Sequence, residues 1–208
     1  MMMLQQMQSL IARLNDVSVA HDVSHFLISR TQPVASDEQV YIVETDEGAE
    51  LAVYIDPVVL LRLQTHNPIE QLTDANLADF CTALEGVSHF QYLSWCIEHE
   101  RPVSLIELEL QAEVDKYTTA LWLLLQQTSG YFPHGLHSRM FSQISYVKEL
   151  NQIELKRYQD VNRHAANYCQ HIDQRYLRGR QRRVEYWMRE LGDFYRSSHH
   201  AKLRRTLN

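Results

Sequence analysis

Glu85 and His89 stand four residues apart in a segment, 74–99, whose apolar residues recur at helical spacing. One helical turn puts such a pair on one face, where a carboxylate and an imidazole can ligate a divalent metal or pair as acid and base. Tyr92 and Cys96 continue the same line. The spacing is ExxxH, not the ExxH of carboxylate-bridged di-iron proteins, so that motif is not met. Leu77, Phe80, Cys81, Leu84, Val87 and Trp95 form one apolar stripe, and Phe90, Leu93 and Ile97 a second, roughly opposite. A helix apolar on two sides is central, which buries the polar line between the stripes.

The next segment, 104–127, carries Glu109, Glu113 and Lys116 beside an apolar face of Ile106, Leu110, Val114, Tyr117, Leu121 and Leu124. Only Arg101-Pro102 and their neighbours separate the two helices, so an antiparallel pair is expected. Glu85 and His89 would then meet Glu109 or Glu113, and two Glu with one His suffice for a metal with open positions. The plainer reading is preferred for both sets: a buried Glu–His pair satisfied by its neighbours, and an i,i+3 ion pair between Glu113 and Lys116.

Asp160, His164 and His171 share one face of a later helix, but that face lies opposite the apolar stripe and reads as solvated. Glu154 falls inside the stripe and needs a partner such as Arg139, His134 or a backbone group. The loop 128–138 holds Tyr131, Phe132, His134 and His137, yet nothing there fixes a nucleophile. No GxSxG, HExxH, P-loop or dinucleotide fingerprint occurs.

The remaining chemistry is basic. Arg182, Arg189 and Arg196 recur every seven residues on the outer face of a predicted helix at 180–196, and Arg175 and Arg178 join them if the helix runs through Gly179. Such a row suits an acidic protein groove or phosphates, although Glu185 and Asp193 neutralise part of it. The row ends an acidic chain. Residues 1–171 hold 22 Asp and Glu against 10 Lys and Arg, whereas residues 172–208 hold 4 against 10. The acidic body disfavours nucleic acid; an acidic protein surface, or docking of the chain on itself, is the better match.

The elements that must position these groups follow from periodicity. Leu4, Met7, Leu10, Ile11 and Leu14 predict an N-terminal amphipathic helix. VSHFLISR (23–30) reads as a strand, and 39–56 as a hairpin pairing Val40–Thr45 with Glu50–Ile55 around Asp46-Glu47-Gly48. Pro57 opens a short helix at 58–66. Thr73 is the expected N-cap of the helix at 74–99, and Ser104 with Glu107 predicts a capping box for the next. A long helix is expected from 139 to 177, then the basic helix, then a frayed tail at 197–208. The fold class is therefore α+β: a small N-terminal three-stranded antiparallel sheet with helices (1–70), followed by an antiparallel helical bundle (71–196).

Hydrophobic residues make up 45% and charged residues 22% of the chain, as in globular proteins. The N-terminus lacks the charge pattern of a signal peptide, and no run approaches the ~18 apolar residues of a membrane span. Three dispersed cysteines suit a reducing cytoplasm rather than a disulfide framework. The expected function is a protein-interaction or regulatory role carried by Arg175, Arg178, Arg182, Arg189 and Arg196. A metal- or acid/base-dependent enzyme using Glu85, His89, Glu109 and Glu113 is the alternative, with a divalent metal as its cofactor. Nucleic-acid binding through the arginine row is third.

Overall fold

A computed structural model of the chain describes residues 2–29, 36–45, 48–142, 151–178 and 182–207, with the backbone alone for 44, 45, 48 and 49. It is mostly helical, with one small antiparallel sheet, and its contacts group into two compact units. One comprises Met1–Arg13 and Ser18–Pro102, the other Leu14–Val17 and Val103–Asn208. The helix that begins at Leu77 belongs to the first of these, where it takes its contacts from the sheet and the short helix before it.

In the first unit, α1 (Met2–Asn15) buries Leu4, Met7 and Ile11 on one face, as their spacing requires. Residues 23–29 do not form the expected strand, and residue 30 lies outside the described residues. Asp22 accepts the Ser24 N–H at 2.9 Å and closes a 3-10 turn over Val23–Phe26. An Asp cap of this kind competes with strand pairing, and the apolar run concealed it. Leu27 alone makes a parallel bridge to Val53. Among the described residues the sheet thus has two strands, not three: β1 (Glu38–Thr45) and β2 (Gly48–Ile55). The expected hairpin forms, but its antiparallel register, Val40↔Val53 through Thr45↔Gly48, stands two residues from the expected pairing of Val40–Thr45 with Glu50–Ile55 and puts Gly48 in the strand rather than the turn. Its turn residues Asp46 and Glu47 lie outside the described residues.

Asp56 caps α2 (Pro57–Thr65) by accepting the Val58 N–H at 2.7 Å, and Pro57 occupies its first turn. α3 (Leu77–Glu98) packs on the hairpin and on α2. It begins after Asn76, not Thr73. The Asn76 amide donates to the His66 and Gln71 carbonyls at 3.1 and 2.9 Å, and its Oδ1 accepts the Thr73 N–H at 2.8 Å. Asn76 therefore gathers the whole turn before the helix. Every residue from Gly86 to Ser94 is buried, as a helix apolar on two sides demands.

In the second unit, α4 (Leu105–Gln127) starts where Ser104 Oγ accepts the Glu107 N–H at 3.2 Å. α5 (Leu136–Phe141) and α6 (Gln152–Tyr176) replace the single long helix expected from 139. Asn151 accepts the Ile153 and Glu154 N–H groups at 3.0 and 2.9 Å, while Glu154 returns to the Asn151 N–H at 3.0 Å. This reciprocal box starts α6 and gives Glu154 its backbone partner. Residues 143–150 and Gly179 lie outside the described residues. α6 packs against α4, α5 and α7 (Val184–Arg196). The tail is not frayed: His199–Arg205 form α8.

Candidate functional site

α4 ends in a turn that the sequence builds residue by residue. Thr128 Oγ1 donates to the Leu124 carbonyl at 2.6 Å. Ser129 and Gly130 both take positive φ, 53° and 86°, and the Gly130 N–H reaches back to the Leu125 carbonyl at 2.7 Å. That bond is the 6→1 closure of a Schellman motif, which satisfies the last helical carbonyls. The turn projects two aromatic residues in opposite senses. Phe132 is 6% exposed and anchors the loop, whereas Tyr131 is 70% exposed. His134 lies near both, edge-on to Tyr131 and tilted to Phe132, with ring centroids 6.4 and 5.2 Å away.

The end of α6 supplies the other wall. Leu177 is buried, and the Leu177 and Arg178 N–H groups both donate to the Asp173 carbonyl at 2.9 Å. The Arg183 N–H bonds to the Tyr176 carbonyl at 2.8 Å, returning the chain beside the helix end. Arg178 lays its guanidinium over the Phe132 ring at 5.2 Å. Arg182 approaches Gly130 so closely that a Cβ there would stand 3.2 Å from Nη1. Gly130 therefore serves both the left-handed turn and the approach of this arginine.

Between the walls lies an open cleft of about 470 Å³, lined by Thr128, Gly130, Tyr131, His134, Arg178 and Arg182 over Phe132 and Leu177. Among the described residues neither arginine makes an ion pair. Two guanidiniums beside an exposed tyrosine can bind carboxylates bidentately and stack on a planar group. They also stand at the C-terminal ends of α4 and α6, where a cation offsets the helix dipole by roughly 0.3–1 kcal/mol.

A buried carboxyl lies below. Tyr117 on α4 donates its hydroxyl to Asp173 on α6. Burial raises the Asp173 carboxyl to about 7, against the pull of the Tyr117 bond and the Arg178 charge. Burial also pushes the Tyr117 hydroxyl and the Cys169 thiol upward. His137 meets Tyr117 edge-on at 5.6 Å.

The other basic residues have different fates. Arg175 is exposed over the Tyr176 ring and Arg189 over the Tyr186 ring, at 5.3 and 5.4 Å. Arg196 is tied down: its guanidinium donates to the Asn15 and Asp16 carbonyls at 3.4 and 3.0 Å and faces Asp193 at 3.5 Å. Of the five expected arginines, Arg178 and Arg182 line the cleft beside the aromatic loop.

The acidic candidates divide between the units. In the first, Glu85 is half-buried and His89 is 5% exposed, with His89 Nδ1 3.6 Å from Glu38 Oε2. In the second, Glu109 is half-buried, and Glu113 accepts the Lys116 ammonium at 2.8 Å, the plain i,i+3 pair. His164 is not simply solvated: its Nδ1 lies 2.7 Å from the Thr206 hydroxyl at the end of α8.

Sequence reasoning missed Glu38, the Tyr117–Asp173 pair and a buried polar chain. In that chain the Lys202 ammonium donates to Gln111 at 2.7 Å, Gln111 to Asp115 at 2.9 Å, and Asn15 to the same Asp115 oxygen at 2.9 Å. The signal for Asp173 was present, since it falls four residues after Cys169 on the apolar stripe.

Comparison of the chain with protein-family models, with curated proteins and with solved structures gives no match. Among the described residues no helix is long and apolar enough to cross a membrane.

Proposed function

We propose that the protein is an interaction module that docks a carboxylate-rich segment of another protein in the cleft of Tyr131, His134, Arg178 and Arg182. The observation that carries this reading is that two arginines, neither of which makes an ion pair among the described residues, line one cleft with a tyrosine that is 70% exposed. Tyr and Arg dominate the energetics of protein interfaces, because each offers large contact area with directed polar groups. Charge complementarity selects the partner. The chain is acidic as a whole, at net −6, so phosphate-rich nucleic acid meets repulsion over most of its surface. A short acidic segment need only meet the cleft. Free thiols at Cys81, Cys96 and Cys169 favour a reducing compartment, and we place the protein in the cytoplasm on that ground.

The probe is a fluorescein-labelled peptide of alternating Glu and Tyr, followed by anisotropy against the full chain. Saturable binding that weakens steeply between 50 and 300 mM salt, on the order of tenfold, supports the reading, because exposed charges are screened within about 8–10 Å at ordinary ionic strength. Equal affinity for a matched Lys-Tyr peptide, tighter binding of single-stranded oligonucleotide, or no binding of the acidic peptide overturns it. So does a self-association, seen by sedimentation, that Arg178→Gln with Arg182→Gln dissolves.

A further inference from the structure

We infer that docking in the cleft is proton-linked: Asp173, buried beneath it, takes a proton from solvent as an acidic segment binds, so that affinity falls as pH rises. The inference rests on the docking reading above and adds its regulation. Asp173 is fully buried on α6. Its Oδ2 accepts the Tyr117 hydroxyl, while its Oδ1, equally enclosed, has no hydrogen-bond partner among the described residues. Shutting a carboxylate away from water with a single donor disfavours its charged form, so nearby charge decides whether it holds a proton. The same residue builds the cleft wall. Its carbonyl accepts the Leu177 and Arg178 N–H groups at 2.9 Å, at the helix end from which Arg178 lays its guanidinium over Phe132. Arg178 thus serves two places at once: it lines the cleft, and its charge acts on Asp173.

Burial holds the Asp173 carboxyl at about 7, with the Tyr117 bond and the Arg178 charge pulling the other way. The remaining groups around it do not take the place of Arg178. On α4, Glu113 and Asp115 act on Cys169 rather than on Asp173, and Lys116 pairs with Glu113 at 2.8 Å. The Cys169 thiol on α6 is pushed up by burial and stays neutral. On α5, His137 meets the Tyr117 ring edge-on, and its Nε2 lies 2.9 Å from the Ala166 carbonyl. On α7, Glu190 acts on Tyr168 and pairs with Arg205. A peptide carboxylate clasped by Arg178 and Arg182 therefore offsets the positive charge that Asp173 feels. The carboxyl then holds its proton more tightly on Oδ1, while Oδ2 keeps the Tyr117 hydroxyl. By reciprocity a neutral Asp173 leaves the Arg178 charge undiminished for the ligand, whereas the carboxylate offsets it. The free chain releases the proton at about 7, and the complex releases it at a higher pH. Between those values the complex holds a proton that the free chain has lost, so affinity is highest below about 7 and falls above it.

Calorimetry of the full chain with the unlabelled Glu-Tyr peptide, slightly above neutral pH in two buffers of different ionisation enthalpy, counts the protons exchanged. Uptake of a fraction of one proton per peptide is expected. Anisotropy with a rhodamine-labelled peptide, from about pH 6.5 to about pH 8.5 where its glutamates stay charged, should show affinity falling about fivefold or more. Asp173→Asn, which mimics the neutral acid, should bind across that range with the parent's low-pH affinity and take up no proton. Should that variant fail to fold, Tyr117→Phe decides: it removes the donor that favours the carboxylate, so the fall in affinity should begin at higher pH. No uptake by the parent, a fall that persists in Asp173→Asn and so belongs to His134, or an unmoved fall in Tyr117→Phe overturns the inference and leaves the docking reading standing. No binding at any pH overturns the docking reading, and the inference with it.

Discussion

The two ends of the basic C-terminal segment carry the same kind of charge and use it in opposite ways. At the far end the cations are consumed by the fold. Lys202 is fully buried, bonded to Gln111, 4.0 Å from Glu107 and over the rings of Phe194 and Tyr195. Arg205 pairs with Glu190, and Arg196 caps the carbonyls of Asn15 and Asp16. At the near end Arg178 and Arg182 stand over an open cleft with Phe132 and Gly130 as their neighbours. A local excess of positive charge therefore says little until each cation's partner is known. What marks the near end is the lack of an ion pair among the described residues, together with the exposed tyrosine beside it.

The far end should break hardest. Lys202→Met keeps the stem's volume but leaves Gln111 and Glu107 facing an apolar tip. A loss of about 3–5 kcal/mol is expected, the usual cost of removing one partner from a buried charge network. Urea melts of the full chain measure it; a loss under about 1 kcal/mol would mean that the tail is not held by its lysine.

Beneath the cleft, Asp173 makes stability depend on pH. Its carboxyl titrates at about 7 when folded, against its ordinary 3.8. Between those values the folded chain holds a proton that the unfolded chain has released, so stability falls as pH rises from about 4 to about 7 and stays low above. Asp173→Asn should flatten that slope, and chemical denaturation at pH 5 and pH 8 compares the two. Tyr117→Phe removes the hydroxyl that Asp173 accepts, at a cost of about 1–3 kcal/mol. A parental slope in the Asn variant would remove Asp173 from the account.

Arg196→Gln should cost about 1 kcal/mol, since its carbonyl acceptors are partly reachable by water. Arg189→Gln should fall within about 0.5 kcal/mol, as for an ordinary surface change. If Arg189 proved the costlier of the two, the assignment of consumed and free cations would be wrong.

Much of this fold was legible. The hairpin could be read from alternation, α2 from Asp56-Pro57, and the burial of α3 from its two stripes, because each is a local pattern. Two errors came from capping side chains that override apolar runs: Asp22 turned an expected strand into a 3-10 turn, and Asn151 with Glu154 started a helix inside an expected longer one. The tail failed for another reason. Nothing near Lys202 in sequence announces that its partner is Gln111, and long-range pairing of single polar residues leaves no periodic trace. The cleft was half legible. Its loop aromatics and its arginines were each singled out, but their meeting depends on the Schellman turn at Ser129 and Gly130 and on the return of Arg183 to Tyr176.

The central claim is tested most directly by comparing two double variants with the labelled Glu-Tyr peptide. Arg178→Gln with Arg182→Gln should abolish the salt-sensitive binding and change stability by no more than the roughly 0.3–1 kcal/mol per cation that a helix end provides. Arg189→Gln with Arg196→Gln should bind the peptide as the parent does and melt earlier. Equal loss of binding in both pairs would show a diffuse charge effect, and parental binding by the first pair would show that the cleft is only the capped end of two helices.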